Sequence, residues 1–145
     1  MRELADMVIS RANINGTPVT NLQLQKVMYF LLAFMVNGAE GEYRERAQRI
    51  FSEGNLQAWP YGPVDKPTYD KYKKFKDKPI IDENIDVNNI QNDDTLRGWI
   101  DELLKINVFN LVRLSHTHDF WKKNEQNIRN GMRPNYSFED LEGIV

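Results

Sequence analysis

The chain has 145 residues, a net charge of −2, 41% hydrophobic and 28% charged residues, and no cysteine. That is the make-up of one ordinary globular domain, 1–145, able to bury a core without staples. It excludes a disulfide framework, thiolate metal sites and a cysteine nucleophile, and offers no general attraction to nucleic acid. The opening MRELADMVIS carries Glu3 and Asp6 and lacks the apolar core of a signal peptide. The longest apolar run, Val27 to Val36, is far below the roughly 20 residues a membrane span needs. A cytoplasmic protein that does not enter the membrane is the expectation, and a cysteine-free chain is compatible with a reducing compartment.

Leu4, Ala5, Val8, Ile9 and Ala12 recur at helical spacing, so an amphipathic helix is predicted over 2–13. INGTPV is a loop broken by Gly16 and Pro18. Thr20 opens TNLQ, a capping-box pattern with Gln23, and a helix follows that is apolar on nearly every side: Leu22, Val27, Met28, Phe30, Leu31, Leu32, Phe34 and Met35. Helices of that kind are central and buried. Asn37-Gly38 is expected to close it through a left-handed residue. In the polar stretch 39–54, Tyr43, Ala47, Ile50 and Phe51 fit one helix face, while Ile50-Phe51 also fits a strand.

Residues 57–69 read QAWPYGPVDKPTY. Pro60, Pro63 and Pro67 fix backbone angles and Gly62 permits a turn other residues resist, so this is shaped backbone, extended over Leu56, Ala58 and Trp59. Asp65-Lys66-Pro67 is a helix start with Asp65 as cap, and Tyr69, Tyr72 and Phe75 form an aromatic stripe on that helix. A polar connector over 76–93 is anchored by Ile80, Ile81, Ile85, Val87 and Ile90. Asp93 or Asp94 caps a helix bearing Leu96, Trp99, Ile100, Leu103 and Leu104. Its pattern runs on past a bend at Ile106-Asn107 through Val108, Leu111, Val112 and Leu114. Thr117 is expected to cap a helix with Phe120, Trp121 and Ile128, closed by Gly131, and Ser137 starts a last turn at SFEDLE. The fold class is mainly α: a compact bundle of about six helices around a buried central helix, with a small hairpin near residues 50–64.

Three pieces stand in a distinctive order: Leu24, Gln25, Lys26 and Tyr29; then Ala58, Trp59, Tyr61, Gly62, Pro63 and Val64; then Ser115, His116 and Trp121. Together they resemble the Panacea domain, the family of SocA-like and GepA-like phage-associated antitoxins, over roughly residues 1 to 130. Two features depart from the family pattern: a longer polar stretch at 39–54, and Phe120 where a proline often precedes the Trp. The resemblance implies an antitoxin that neutralises a cognate toxin by direct binding. One branch of the family also delivers its toxin to a Clp-type protease.

The residues themselves leave several readings open. Trp59 and Tyr61 are either wedges against the central helix or anchors for a partner, with Trp59 inside and Tyr61 at the rim. Gln25 is expected to hydrogen-bond the irregular backbone around 60–64, and Lys26 to snorkel to the edge. His116 and His118, the two histidines, are two apart and would face opposite sides of a helix, so a metal site needs an extended segment and a further ligand. Tyr69, Tyr72 and Phe75 lie among Lys66, Lys71, Lys73, Lys74, Lys76 and Lys78, a basic patch that suits an acidic protein surface or a single strand. Tyr61, Pro63, Tyr69 and Tyr72 are the expected toxin contacts. No nucleophile–base pair or phosphate loop stands out, so neither enzymatic activity nor a cofactor is expected. The alternatives are a nucleic-acid-binding phage or prophage regulator and a small His-dependent metalloenzyme.

Overall fold

The computed structural model describes residues 1–38, 41–85 and 93–144. It is mainly α. The helices are α1 (Arg2–Ile14), α2 (Asn21–Asn37), α3 (Gly41–Ser52), α4 (Lys66–Tyr72), α5 (Asp94–Leu104), α6 (Val108–His116) and α7 (Asp119–Arg129). Between α3 and α4 lies an antiparallel hairpin of β1 (Leu56–Trp59) and β2 (Gly62–Asp65), paired Leu56 to Asp65 through Trp59 to Gly62. Among the described residues no helix is long and apolar enough to cross a membrane.

The all-round apolar character of α2 places it at the centre. Leu24, Val27, Met28, Tyr29, Leu31, Leu32, Ala33 and Met35 have no exposed surface, and α1, α3, α4, α5, α6, β2 and the 3-10 turn Phe138–Leu141 all pack against it. Two ion-pair clusters fix the outer helices. Arg11 grips the Asp101 carboxylate with two bonds of 2.7 Å, joining α1 to α5. Glu3 takes Arg46 and Arg49, joining α1 to α3.

Helix starts follow the chemistry of the sequence. Thr20, Asp65, Asp93 and Asn107 each accept a backbone N–H of the first turn that follows. Asn107 makes the expected bend a full break between two helices. Ser137 and Asp140 form a reciprocal capping box at the last turn. Of the two readings of 39–54, the helical one holds over Gly41–Ser52, with Tyr43, Ala47 and Ile50 on the buried face.

Three local expectations are corrected. Gly38 is extended (φ −70, ψ 165), not left-handed. The Asn37 side chain does the closing instead, donating to the Ala33 and Leu141 carbonyls and accepting from Gly143 N. Thr117 does not cap α7, because its hydroxyl donates to the Leu114 carbonyl at the end of α6; His118 holds the cap position, and its side chain makes no bond to the first turn of α7. In the connector, Ile80 is buried and its N–H donates to Val19 O, but Ile81 is 72% exposed and anchors nothing. Val87 and Ile90 lie outside the described residues.

Candidate partner-binding site

A two-stranded hairpin leaves two rows of backbone groups unpaired, and both are covered here. Along β1, Ala58 N donates to Pro134 O and Tyr136 N to Leu56 O, both at 2.8 Å, so the segment after α7 lies against that edge. Along β2 the covering groups come from helix α2. Lys26 Nζ donates to the Pro63 carbonyl at 2.7 Å, and Asp65 N donates to Gln25 Oε1 at 2.8 Å. Gln25 Nε2 in turn donates to Asn21 Oδ1. The adjacent polar residues of the Leu24-Gln25-Lys26 run thus replace a third strand. Leu24 is a core residue beneath them.

Asp65 then turns the chain. Its carboxylate accepts from Asn55 N, Thr68 N and Thr68 Oγ1, fixing the hairpin base and the start of α4 together. Gly62 has φ +101, a region that disfavours a side chain. A Cβ there would also meet Ser115 Oγ at 2.5 Å and Lys26 Cε at 3.2 Å. Tyr29, one turn along α2 from Lys26, bonds His118 Nδ1 through its hydroxyl at 2.7 Å.

The third motif closes the assembly from above. Trp121 Nε1 donates to the Trp59 carbonyl at 2.8 Å, and the His116 ring stacks on Trp121 at 3.7 Å between centroids. His116 Nε2 is buried without a well-formed hydrogen bond, the Pro60 carbonyl being its polar neighbour. Burial lowers the pKa of both His116 and His118. The two rings serve different partners, Trp121 and Tyr29, rather than a common point. Among the described residues no cluster of three potential metal-ligating side chains occurs.

Lys26 is corrected from the sequence expectation. It does not snorkel: it has no exposed surface, and desolvation brings its pKa down to about 7. The reason is geometric. Gly62 and Pro63 cross directly over it, and the Pro63 carbonyl accepts its hydrogen bond at 2.7 Å. Trp59 is half-buried rather than inside, with its Nε1 on Gln57 Oε1.

What reaches the surface is narrower than the sequence reading proposed. Tyr61 is 63% exposed at the hairpin tip, and Tyr69 is half-buried with its ring 4.8 Å from that of Trp59. Tyr72 is 2% exposed and donates to Asp82 Oδ2 at 2.6 Å, and Pro63 is buried in β2. As direct contacts, Tyr72 and Pro63 are withdrawn. Tyr72 faces inward because α4 is a short helix packed on α2 with Thr68 and Tyr72 on its buried side, and Pro63 because β2 is buried along its whole length beside α2. Trp59, Tyr61, Tyr69 and Leu22 instead wall a groove of about 420 Å³, with Asn21, Lys73 and Lys76 among its other lining residues. The Arg133 guanidinium lies over Trp59 at 5.6 Å. Sequence reasoning missed Arg133, and nothing in its local sequence marks it.

The chain is 30% identical over 84 residues to antitoxin SocA of Caulobacter vibrioides (strain NA1000 / CB15N). The similarity covers 58% of this chain and 40% of that protein, so the chain spans less than half the length of the relative it matches. No protein-family model matches the chain, and no solved structure matches it.

Proposed function

We propose that this chain is a Panacea-type antitoxin, a cytoplasmic single-domain protein that neutralises a cognate toxin by stoichiometric binding rather than by catalysis. The similarity to antitoxin SocA carries the reading. The exposed Tyr61–Tyr69 face of the hairpin supports it physically, since aromatic side chains held on rigid backbone lose little entropy on binding and dominate interface energetics. The three motifs have a single structural task in this account. They set the hairpin rigidly on α2 so that its tip meets a partner without rearranging.

The test is co-expression with the product of the neighbouring gene, followed by affinity purification through a tag on this chain. The expected result is a stoichiometric complex that survives gel filtration and is lost on Tyr61→Ala. A wild-type chain that purifies alone, with the neighbouring protein soluble in the same cells, would overturn the proposal.

A further inference from the structure

The backbone at Lys76 is out of the ordinary. The residue has φ 54 and ψ −122 and is the one non-glycine residue with positive φ among those described. With Lys78 N donating to Phe75 O, these angles are those of the first central position of a type II′ turn, where glycine is strongly preferred. A lysine held there is strained, and such strain persists only where its surroundings impose it. Nothing that Lys76 does for the fold explains its side chain. It is exposed, and no ion pair engages it among the described residues. It does line the aromatic groove.

The charge of that groove is one-sided. Although the chain is net negative, the charged groups in the lining are Lys73 and Lys76; Lys73 Nζ also lies 3.5 Å from Asp70 Oδ1 outside the lining, an exposed pair of little strength that an incoming carboxylate can displace, whereas Lys76 has no ion pair among the described residues. The rest is predominantly apolar surface, with Leu22, Trp59, Tyr61 and Tyr69 as its large side chains. We propose that the groove receives an acidic segment of the partner protein that inserts an apolar side chain against Trp59, Tyr61 and Tyr69, with its carboxylates on Lys73 and Lys76, and that the strained turn holds Lys76 for this purpose. This rests on the partner-binding reading above and adds the partner's chemistry to it. Pairing by strand addition is not available, since both hairpin edges are already covered. Nucleic acid fits less well: Trp59 already contacts Tyr69 and Arg133, leaving it poorly placed to stack a base.

Three variants separate the roles. Lys76→Gly should relieve the turn and raise Tm by several degrees while weakening binding of the neighbouring gene's product about tenfold, the scale of a substantial interface contact. Lys76→Arg should keep wild-type affinity. Lys73→Glu with Lys76→Glu should abolish binding, and the wild-type affinity should fall with added salt. Titration of the purified full-length chains by calorimetry, with thermal melts alongside, reads all of these. If the wild type binds and Lys76→Gly binds equally well, or if Lys76→Gly is no more stable than wild type, this inference is overturned while the partner-binding reading stands. If the wild type does not bind, both fall. A groove that mediates self-association instead, seen as a dimer by sedimentation that Tyr61→Ala dissolves, would also overturn it, as would capture of single-stranded RNA in place of the protein.

Discussion

The ammonium of Lys26 donates to the carbonyl of Pro63 at 2.7 Å in a place with no solvent access. This one bond joins the first and second motifs of the chain, and among the described residues no carboxylate pairs with it. A buried amine with a backbone acceptor and no counter-ion is easier to keep neutral than charged, which is why its pKa is brought down to about 7.

A pH dependence follows. Between about 7 and 10.5, the ordinary lysine value, the unfolded chain holds a proton on Lys26 that the folded chain has largely lost. Stability therefore rises with pH across that window, at a limiting slope of about 1.4 kcal/mol per pH unit for one group. Below 7 the lysine is protonated in both states and this slope vanishes. Above about 10 the buried Tyr29, Tyr72 and Tyr136, whose pKa values are raised mainly by burial, oppose the trend. Urea unfolding between pH 8 and 9.5 should show rising stability in the wild type and a much shallower profile in Lys26→Met. Equal slopes in the two proteins would count against a neutral buried lysine.

Gly62→Val should destabilise the protein severely. A β-branched residue at φ +101 costs ~1–3 kcal/mol in backbone strain. The clash of its Cβ with Ser115 Oγ, 2.5 Å away, adds a further ~1–3 kcal/mol of overpacking. Gly62→Ala with Ser115→Ala should recover part of the loss by removing that clash, and chemical denaturation of the single and double variants measures the coupling. A Gly62→Val protein with an unchanged melting temperature would contradict the turn geometry.

Trp121→Phe keeps an aromatic ring beside His116 but removes the donor to the Trp59 carbonyl, leaving that carbonyl without its partner. The expected loss is about 1–3 kcal/mol of stability. Because Trp59 borders the groove, partner affinity should fall as well, whereas Ile100→Val, a core change on α5, which packs on α1 and α2, should alter stability alone. Affinity unaffected by Trp121→Phe would mean that the third motif does not position the site.

Tyr61 and Tyr72 separate surface from core on neighbouring elements. Tyr61→Ala should leave Tm within a degree or two and weaken the complex by more than about 1 kcal/mol. Tyr72→Phe should do the reverse, since it deletes the bond to Asp82 without touching exposed surface. Melting curves and binding isotherms of the two variants check this crossing pattern.

The sequence exposed the helices more fully than the site. Periodicity located α1 and α5, and a nearly continuous apolar run located α2; short polar side chains marked the helix starts at Thr20, Asp65 and Asp93 because they satisfy free N–H groups in place, whereas Asn107 read only as a bend. Asp65 was legible as a cap, but its bond to Asn55 N, which ties it to the hairpin base, was not. Lys26 was misread because lysine ordinarily reaches water, and only the chain crossing overhead prevents it. Tyr69 and Tyr72 look alike in a stripe of period three, yet only the packing of α4 puts Tyr72 inside. The groove combines residues from α2, the hairpin and the turn after α4, with Arg133 brought close from beyond α7, and such long-range proximity leaves no trace in local spacing.

The most direct test of the account is host growth when the neighbouring gene is induced alone, with this chain, and with its Tyr61→Asp variant expressed to the same soluble level. Arrest is expected in the first case, full growth in the second and renewed arrest in the third, with the variant melting at the wild-type temperature. Rescue by Tyr61→Asp as complete as by the wild type would contradict a toxin-binding site at the hairpin tip, and a neighbouring product harmless on its own would contradict the antitoxin role.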